Sequence, residues 1–270
     1  MADVYRVFVH ALRNLWGPGY WVAWPPSQKL SLGDVGVIER GLFTPTDELS
    51  RLGVDVQAEA GSSRASLSYD SGGTASLTFK ATGDAPAGFQ GLARADAGAL
   101  VRFGTENGVL CVYDDLRETR VQRLDPLTAM LIERFWAGRW RQDHAVVTHV
   151  VSARSATILV GGASGAEAEL RADARAGAGP TTIGQLGANM SVARRDHIGF
   201  ELVGSSLTPF FRLLRLRRNW IGRITAQYGR GVVVAPRPVP VEVMEEAVET
   251  PDSVFEEVDQ LTAIGVGEGE

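Results

Sequence analysis

The chain has one cysteine, Cys111, in 270 residues. An intramolecular disulfide is therefore excluded, and a reducing compartment is the expectation. Histidine is scarce, with four residues, and lysine scarcer: Lys29 and Lys80 are the lysines, so arginine carries the positive charge. No apolar run reaches the ~18 residues that a membrane-spanning helix needs, so any crossing would have to use β-strands. No basic–apolar–small signal peptide opens the chain. The net charge of −5 leaves no nucleic-acid footprint in the total. There is no Walker loop, HExxH or GxSxG, and Gly161-Gly162 and Gly187 make no phosphate fingerprint. His144 and His149 are five apart, on opposite faces of a strand, which is poor metal geometry. No cofactor, metal or catalytic set is expected. Cys111 lies near Asp114 and Asp115, but no local signature surrounds it, and its simplest reading is a small buried residue in a strand.

What the chain does have is alternation. In 64–81 the odd positions are apolar: Ala65, Leu67, Tyr69, Ala75, Leu77, Phe79 and Ala81. The even positions Ser66, Ser68, Thr74, Ser76, Thr78 and Lys80 are polar. A period of two places the sets on opposite faces of a strand. Asp70-Ser71-Gly72-Gly73 has the composition of a tight turn, which predicts an amphipathic β-hairpin over 64–81. Its polar face is made of small hydroxyls. That pattern fits a half-buried hairpin on a core, the simpler reading, and also a membrane barrel strand.

Residues 3–16 predict a helix, capped by Asp3, with Val4, Val7, Phe8, Ala11, Leu12, Leu15 and Trp16 as its apolar stripe. Gly17-Pro18-Gly19 stops it. Short strands are expected between Leu30 and Phe43, a helical turn or loop at 47–52, and a Gly/Ala-rich connection at 82–98. Leu100–Phe103 and Val109–Tyr113 read as strands joined by a turn at 104–108. Asp125 as N-cap and Pro126 at N1 predict a helix that runs to Gly138. It divides two strand blocks. The second begins with Ala145–Val151, apolar on both faces as in a buried central strand. It continues through a long excursion at 161–188 with a candidate strand at 166–172. It returns with Met190, Val192, Ile198, Phe200 and Leu202 on one face. From Pro209, apolar residues mix with arginines. A Gly/Pro/Val linker follows. The tail, 241–270, carries ten acidic residues and no Lys or Arg. Its Val243, Met244, Val248, Phe255, Val258, Leu261 and Ile264 predict apolar stripes on short helices.

The order of these elements resembles the pore-forming domain of gasdermins, the compact bacterial members more than the two-domain animal ones. The best local match is Asp143-His144-Ala145-Val146-Val147-Thr148-His149-Val150-Val151, similar to the gasdermin strand that carries a run such as VYVVTEVL. Met190–Val203, leading into a basic apolar segment, is similar to the strand that closes that hairpin. Asp70–Gly108 is similar in layout to the first membrane hairpin region. The resemblance implies an α+β fold, with a twisted, mainly antiparallel sheet flanked by helices and a short C-terminal regulatory tail. It also implies a cytoplasmic autoinhibited form, release by an activating protease, and assembly of a homo-oligomeric β-barrel at the inner face of the plasma membrane. Bacterial relatives often carry an acylated cysteine near the N-terminus; Met1–Tyr5 contain none, and Cys111, in a predicted strand, does not replace it.

The corresponding organisation is a pore-forming domain at 1–230, a linker and candidate cleavage region at 231–240, and an acidic autoinhibitory tail at 241–270. The expected membrane-inserting residues are Leu67, Tyr69, Leu77, Phe79, Val192, Ile198, Phe200 and Leu202. Arg6, Arg13, Trp16, Arg212, Arg215, Arg217 and Arg218 are expected to meet anionic lipid. Arg230 and Arg237 are the expected cleavage positions, and Val248, Phe255, Val258 and Leu261 the inhibitory contacts. Two rival expectations remain: a soluble β-rich binding or assembly module, and a hydrolase using Cys111 and a histidine.

Overall fold

A computed structural model describes residues 4–73, 75–79, 98–172, 190–228 and 238–264. The chain opens with helix α1 (Val4–Leu12), which buries Tyr5, Phe8, Val9 and Leu12. The helix is shorter than the apolar pattern predicts, because Asn14 takes a left-handed backbone (φ 64°) and Gly17-Pro18 follows. Its buried face is also rotated, with Tyr5 and Val9 inward where Val7 and Ala11 are half-buried.

Strands β1 (Trp21–Val22), β2 (Asp34–Glu39), β3 (Leu42–Glu48), β4 (Ala58–Asp70), β5 (Ala75–Phe79), β6 (Gly98–Phe103) and β7 (Val109–Val121) come next. Helix α2 (Leu124–Trp136) separates them from β8 (His144–Gly161), β9 (Glu167–Ala172), β10 (Met190–Asp196) and β11 (Ile198–Leu216). The chain then forms α3 (Arg218–Tyr228), α4 (Val241–Glu249), α5 (Pro251–Val254), β12 (Phe255–Glu257) and α6 (Gln260–Ile264). Asp125 is not the cap of α2. The N-cap is Arg123, without a side-chain cap bond. Asp125 instead lies in the first turn, where a carboxylate still favours the helix dipole. Gly138, at φ 67°, ends the helix as expected.

The fold is α+β, built on a mainly antiparallel, twisted sheet. Its order is β1-β11-β8-β2-β3, with β7 on β8, β4 outside β7, and β12 on β11. A second, four-stranded sheet has the order β10-β9-β6-β5. β8 and β11, of 18 and 19 residues, form the longest ladder. Buried residues on both faces of β8, Ala145 to Val147 among them, match its reading as a central strand.

The predicted hairpin over 64–81 does not form. β4 pairs with β7, and β5 with β6. Ser71–Gly73 makes a short 3-10 turn that carries the chain from one sheet to the other. Positive-φ residues serve a sheet-changing corner as well as a hairpin, so composition alone does not separate the two. The turn at 104–108 is likewise a corner, with β6 and β7 in different sheets.

Alternation along β7 and β8 fills both faces of the main sheet. Val109, Cys111, Tyr113, Ile158 and Val160 pack with Tyr5, Phe8 and Leu12 of α1. The intervening Leu110, Val112 and Leu159 pack with Val101, Phe103, Ala168 and Leu170 of the small sheet. The small sheet is thus folded back onto the face opposite α1. At the other end, Leu127, Leu131 and Ile132 of α2 pack with Trp220 and Ile221 of α3, and with Val243 and Ala247 of α4.

Gly36 marks a close approach between β2 and β3. A Cβ there would lie 2.2 Å from the Thr44 carbonyl oxygen and 2.8 Å from the Phe43 ring. Gly36→Ala is expected to lower stability by about 1–3 kcal/mol, read as a lower urea midpoint with the slope unchanged.

Candidate functional site

Two features stand out, at opposite ends of the β8–β11 ladder: a line of four corners between the sheets, and the surface on which the C-terminal segment lies. The corners come first. β4 passes into β5 through Ser71–Gly73, β6 into β7 through 104–108, β8 into β9 through 162–166, and β10 into β11 at His197 (φ 53°). In the main sheet the four strands lie side by side as β4-β7-β8-β11. In the small sheet their continuations lie as β5-β6-β9-β10, the same lateral order. The small sheet is therefore the main sheet continued and folded over along one line.

The central pair also keeps its register. Arg102 faces Glu167 and Val109 faces Val160, so seven steps on one strand match seven on the other. On the flanks the steps differ. Asp70↔Leu110 and Ala75↔Phe103 are five apart on one strand and seven on the other. Ile198↔Gly161 and Asp196↔Glu167 are two apart and six.

Local hydrogen bonds hold the corners. The Ala75 N–H donates to Asp70 Oδ1 (3.0 Å), and the Val109 N–H to Ser71 Oγ (2.7 Å). The Gly165 N–H donates to the Phe103 carbonyl (2.7 Å) and the Gly162 N–H to that of His197 (2.8 Å).

The expected inserting residues divide between the two cores. Leu67, Tyr69, Phe200 and Leu202 are half-buried under α1, with the Phe200 ring 5.3 Å from that of Trp24. Leu77, Val192 and Ile198 pack into the core between the sheets. Phe79 belongs to β5, and its side chain lies outside the described residues. Among the described residues no strand pairs with the outer edge of β4 and β5, or with that of β10 on the opposite flank.

The tail is built into the fold. β12 pairs antiparallel with the end of β11, with Leu214↔Glu257, Arg215↔Glu256 and Leu216↔Phe255. Val254, Phe255 and Val258 are buried. Arg215 Nε donates to Glu256 (2.6 Å) and Arg212 Nη1 to Glu257 (3.1 Å). Arg217 Nε donates to the Phe255 carbonyl (3.0 Å). Arg223 of α3 pairs with Glu246 of α4, which holds the Glu246 carboxyl below the usual range. Gln260 joins the tail to β1: its side-chain oxygen accepts the Val22 N–H (2.8 Å) and its amide donates to the Val22 carbonyl (3.0 Å). Trp21 Nε1 donates to the Val258 carbonyl.

Several expectations change here. Val248 is not an inhibitory contact: it is 77% exposed, because the helical phase of α4 turns Val243 and Ala247 inward instead. Phe255 and Val258 are buried against the sheet; the side chain of Leu261 lies outside the described residues. Trp16 is not at the surface. It stacks on Phe210 (6.3 Å) beneath the Arg64 guanidinium (4.7 Å). Arg6, Arg13 and Arg218 are exposed. Arg212, Arg215 and Arg217 are occupied by the tail and are not free for lipid in this form. Arg230 and Arg237 lie outside the described residues.

Glu256 and Glu257 belong to the acidic tail expected to meet the basic segment, whereas Gln260, Tyr20 and Glu118 carry no expected role. Tyr20 donates to Glu118, whose other oxygen accepts the Ser62 N–H (2.8 Å). Burial and the Glu118 contact push the Tyr20 hydroxyl up. Burial acts to raise Glu118, but the hydrogen bonds from Tyr20 and Ser62 together with nearby His149 leave the carboxyl below its usual range. The charge complementarity of Arg-rich 212–218 and Glu-rich 241–257 was the one available signal.

Cys111 is buried, its thiol pushed well up by burial and touching Tyr113. That environment disfavours the thiolate a nucleophile needs. Among the described residues no group of three His, Cys, Asp or Glu is placed to hold a metal, and no helix is long and apolar enough to cross a membrane. No protein-family model matches the chain, and no curated protein is significantly similar to it.

Phe255→Ala is expected to cost about 3–5 kcal/mol and to speed proteolysis of the tail. Val248→Ala is expected to stay within about 0.5 kcal/mol of the parent. Denaturant melts and a trypsin time course read both.

Proposed function

We propose that this chain is a pore-forming effector, held inactive by its C-terminal segment and released by a protease that cuts between α3 and α4. The observation that carries this reading is the shared strand order on the two sides of the corners. Four strands folded over one line can become four long antiparallel strands without exchanging a neighbour. Residues 58–79, 98–121, 144–172 and 190–216 would each exceed the ~9–11 tilted residues that cross a bilayer. The alternation of Leu67, Tyr69 and Leu77 with Ser66, Ser68, Ser76 and Thr78, and of Phe200 and Leu202 with Gly199 and Glu201, suits strands with lipid on one side and water on the other.

In the stored form those apolar residues face α1 or the core between the sheets. Unfolding the corners would expose them, so the change needs a membrane to receive them. The two flanks with unpaired edges favour head-to-tail addition of further copies, which closes into a ring when the rotation permits. The tail's carboxylates hold Arg212, Arg215 and Arg217. Losing the tail would free these cations beside exposed Arg218, a surface suited to anionic headgroups. Exposed ion pairs contribute only about 0–1 kcal/mol each, so the buried Val254, Phe255 and Val258 supply most of the hold. After cleavage the tail loses its high effective concentration and can leave. Arg230 and Arg237 would suit a trypsin-like protease. The stored form would be soluble and cytoplasmic, the pore at the inner face of the plasma membrane.

The test uses the full chain with a specific protease site placed within 231–240. Cutting should start dye leakage from liposomes rich in anionic lipid, and salt should weaken vesicle binding. Leu77→Asp, cut equally well and still folded, should abolish leakage. Cleaved protein that sheds its tail yet leaves every liposome intact overturns the reading. So does a folded Leu77→Asp variant that leaks normally.

A further inference from the structure

The proposed activity gives no role to His149, yet this residue lies at the junction of the tail, the N-terminal segment and the sheet. It sits in a cross-strand row. Glu59 of β4 faces Arg120 of β7, Arg120 faces His149 of β8, and His149 faces Arg212 of β11. Arg212 then reaches Glu257 of β12. The imidazole thus lies between two guanidinium groups. Thr148 Oγ1 lies 3.0 Å from its Nδ1, and the Tyr20 ring stands edge-on at 6.2 Å.

Arg212 is the shared fastening. One of its Nη atoms bonds Glu257 (3.1 Å), and the other bonds the Pro18 carbonyl (2.8 Å). Its guanidinium lies 4.4 Å from the Tyr20 ring centre. One cation therefore holds both the C-terminal strand and the segment between α1 and β1. Among the described residues, the nearby carboxylates already have hydrogen-bonding partners. Glu59 binds Arg120 (2.6 Å) and Glu257 binds Arg212, while Glu118 is taken by Tyr20 and the Ser62 N–H.

We propose that His149 makes the tail's hold on the sheet acid-sensitive: a proton on its ring puts a third cation between Arg120 and Arg212, and the strain is relieved by releasing β12 and the Tyr20 segment. Like charges in adjacent cross-strand positions repel, and a covered imidazolium gains hydration once these two segments lift away. The proposal rests on the contact between tail and sheet, not on membrane activity.

The direction of the titration agrees. Burial, then the Arg212 charge, then Arg120 hold the His149 pKa down, against the opposing pull of Glu118 and Glu257. The closed form therefore resists the proton. Its stability is full above the ordinary histidine value of about 6.5 and falls as the pH drops below it. His144, also held down by burial, titrates in the same direction, but it packs against Trp140 (5.2 Å) at the start of β8.

The test is hydrogen exchange of the full, uncut chain between pH 7.5 and 5.5, corrected for the intrinsic pH dependence of exchange. The peptide covering β12 is compared with one from α2. In the parent, β12 protection should fall several-fold, up to about tenfold, while α2 holds. His149→Gln and His149→Phe, both checked for folding by thermal melts, should flatten the β12 profile and leave any His144 effect in place. A flat parent profile overturns the proposal, as does an equal loss in the folded variants or a loss shared by α2. None of these outcomes depends on liposome leakage, so a failure here and a failure of the pore reading are told apart.

Discussion

The antiparallel ladder between β8 and β11 is the constraint on which the rest of the molecule depends. It spans the core from Val146–Leu214 to Gly161–Ile198. At one end it organises β1, β2 and β12, and at the other it runs into the corners at 162–166 and His197. A ladder this long twists, and the twist accumulates with every residue. Its register shifts, such as the one between Leu207 and Phe210, interrupt the regular pairing within the strand, and Ser206 just before that shift takes φ 56°. Every other buried group is placed relative to these two strands. α1 and the small sheet take opposite faces, and the C-terminal segment takes the free edge of β11 beyond Phe211.

The consequence is a molecule with one continuous strand network and two ways of covering it. The residues that line the inner face of the small sheet are half-buried at its edges, as at Leu77 and Val192, and fully buried at its centre, as at Val101 and Leu170. The central pair, with its unbroken offset, needs no slippage to straighten. The flanking pairs need two and four residues of adjustment. A strand that slips by an even number keeps its faces, whereas an odd slip would turn every apolar side chain to the wrong side. Both differences here are even.

Much of this architecture is legible in the sequence, and the parts that are not share a physical cause. Helix α2, the central character of β8 and the strand at 167–172 follow from local periodicity. Partner choice does not. Asp70-Ser71-Gly72-Gly73 has a composition that serves a hairpin and a corner equally, and only the pairing of β4 with β7 distinguishes them. The apolar pattern does not give the phase of α1, because Tyr5 hides an apolar ring behind a polar label; its hydroxyl donates to the Gly41 carbonyl (2.6 Å) while the ring packs inward. At the tail the opposing charges of the two segments are visible, but which residues meet is not. A three-residue strand such as Phe255–Glu257 is too short for any period to register. Val248 and Phe255 look alike in hydrophobicity; the turn of α4 and the start of β12 give them opposite fates.

Gln260 gives the tail a fastening of a different kind from its ion pairs. Its primary amide presents an acceptor oxygen and an NH2 donor group in one plane, and each bonds the backbone of Val22, so the side chain behaves as a short substitute strand beside β1. A carboxylate of the same length would lack the donor, and an ammonium would lack the acceptor. The contact is neutral and buried, and mobile ions have little purchase on it, whereas the arginine–glutamate pairs at the rim weaken as ionic strength rises. The C-terminal segment is thus attached by two chemistries that answer to different solvents: a salt-sensitive clasp on β11, and a salt-indifferent one on β1 that yields only when the strand edge itself is offered water.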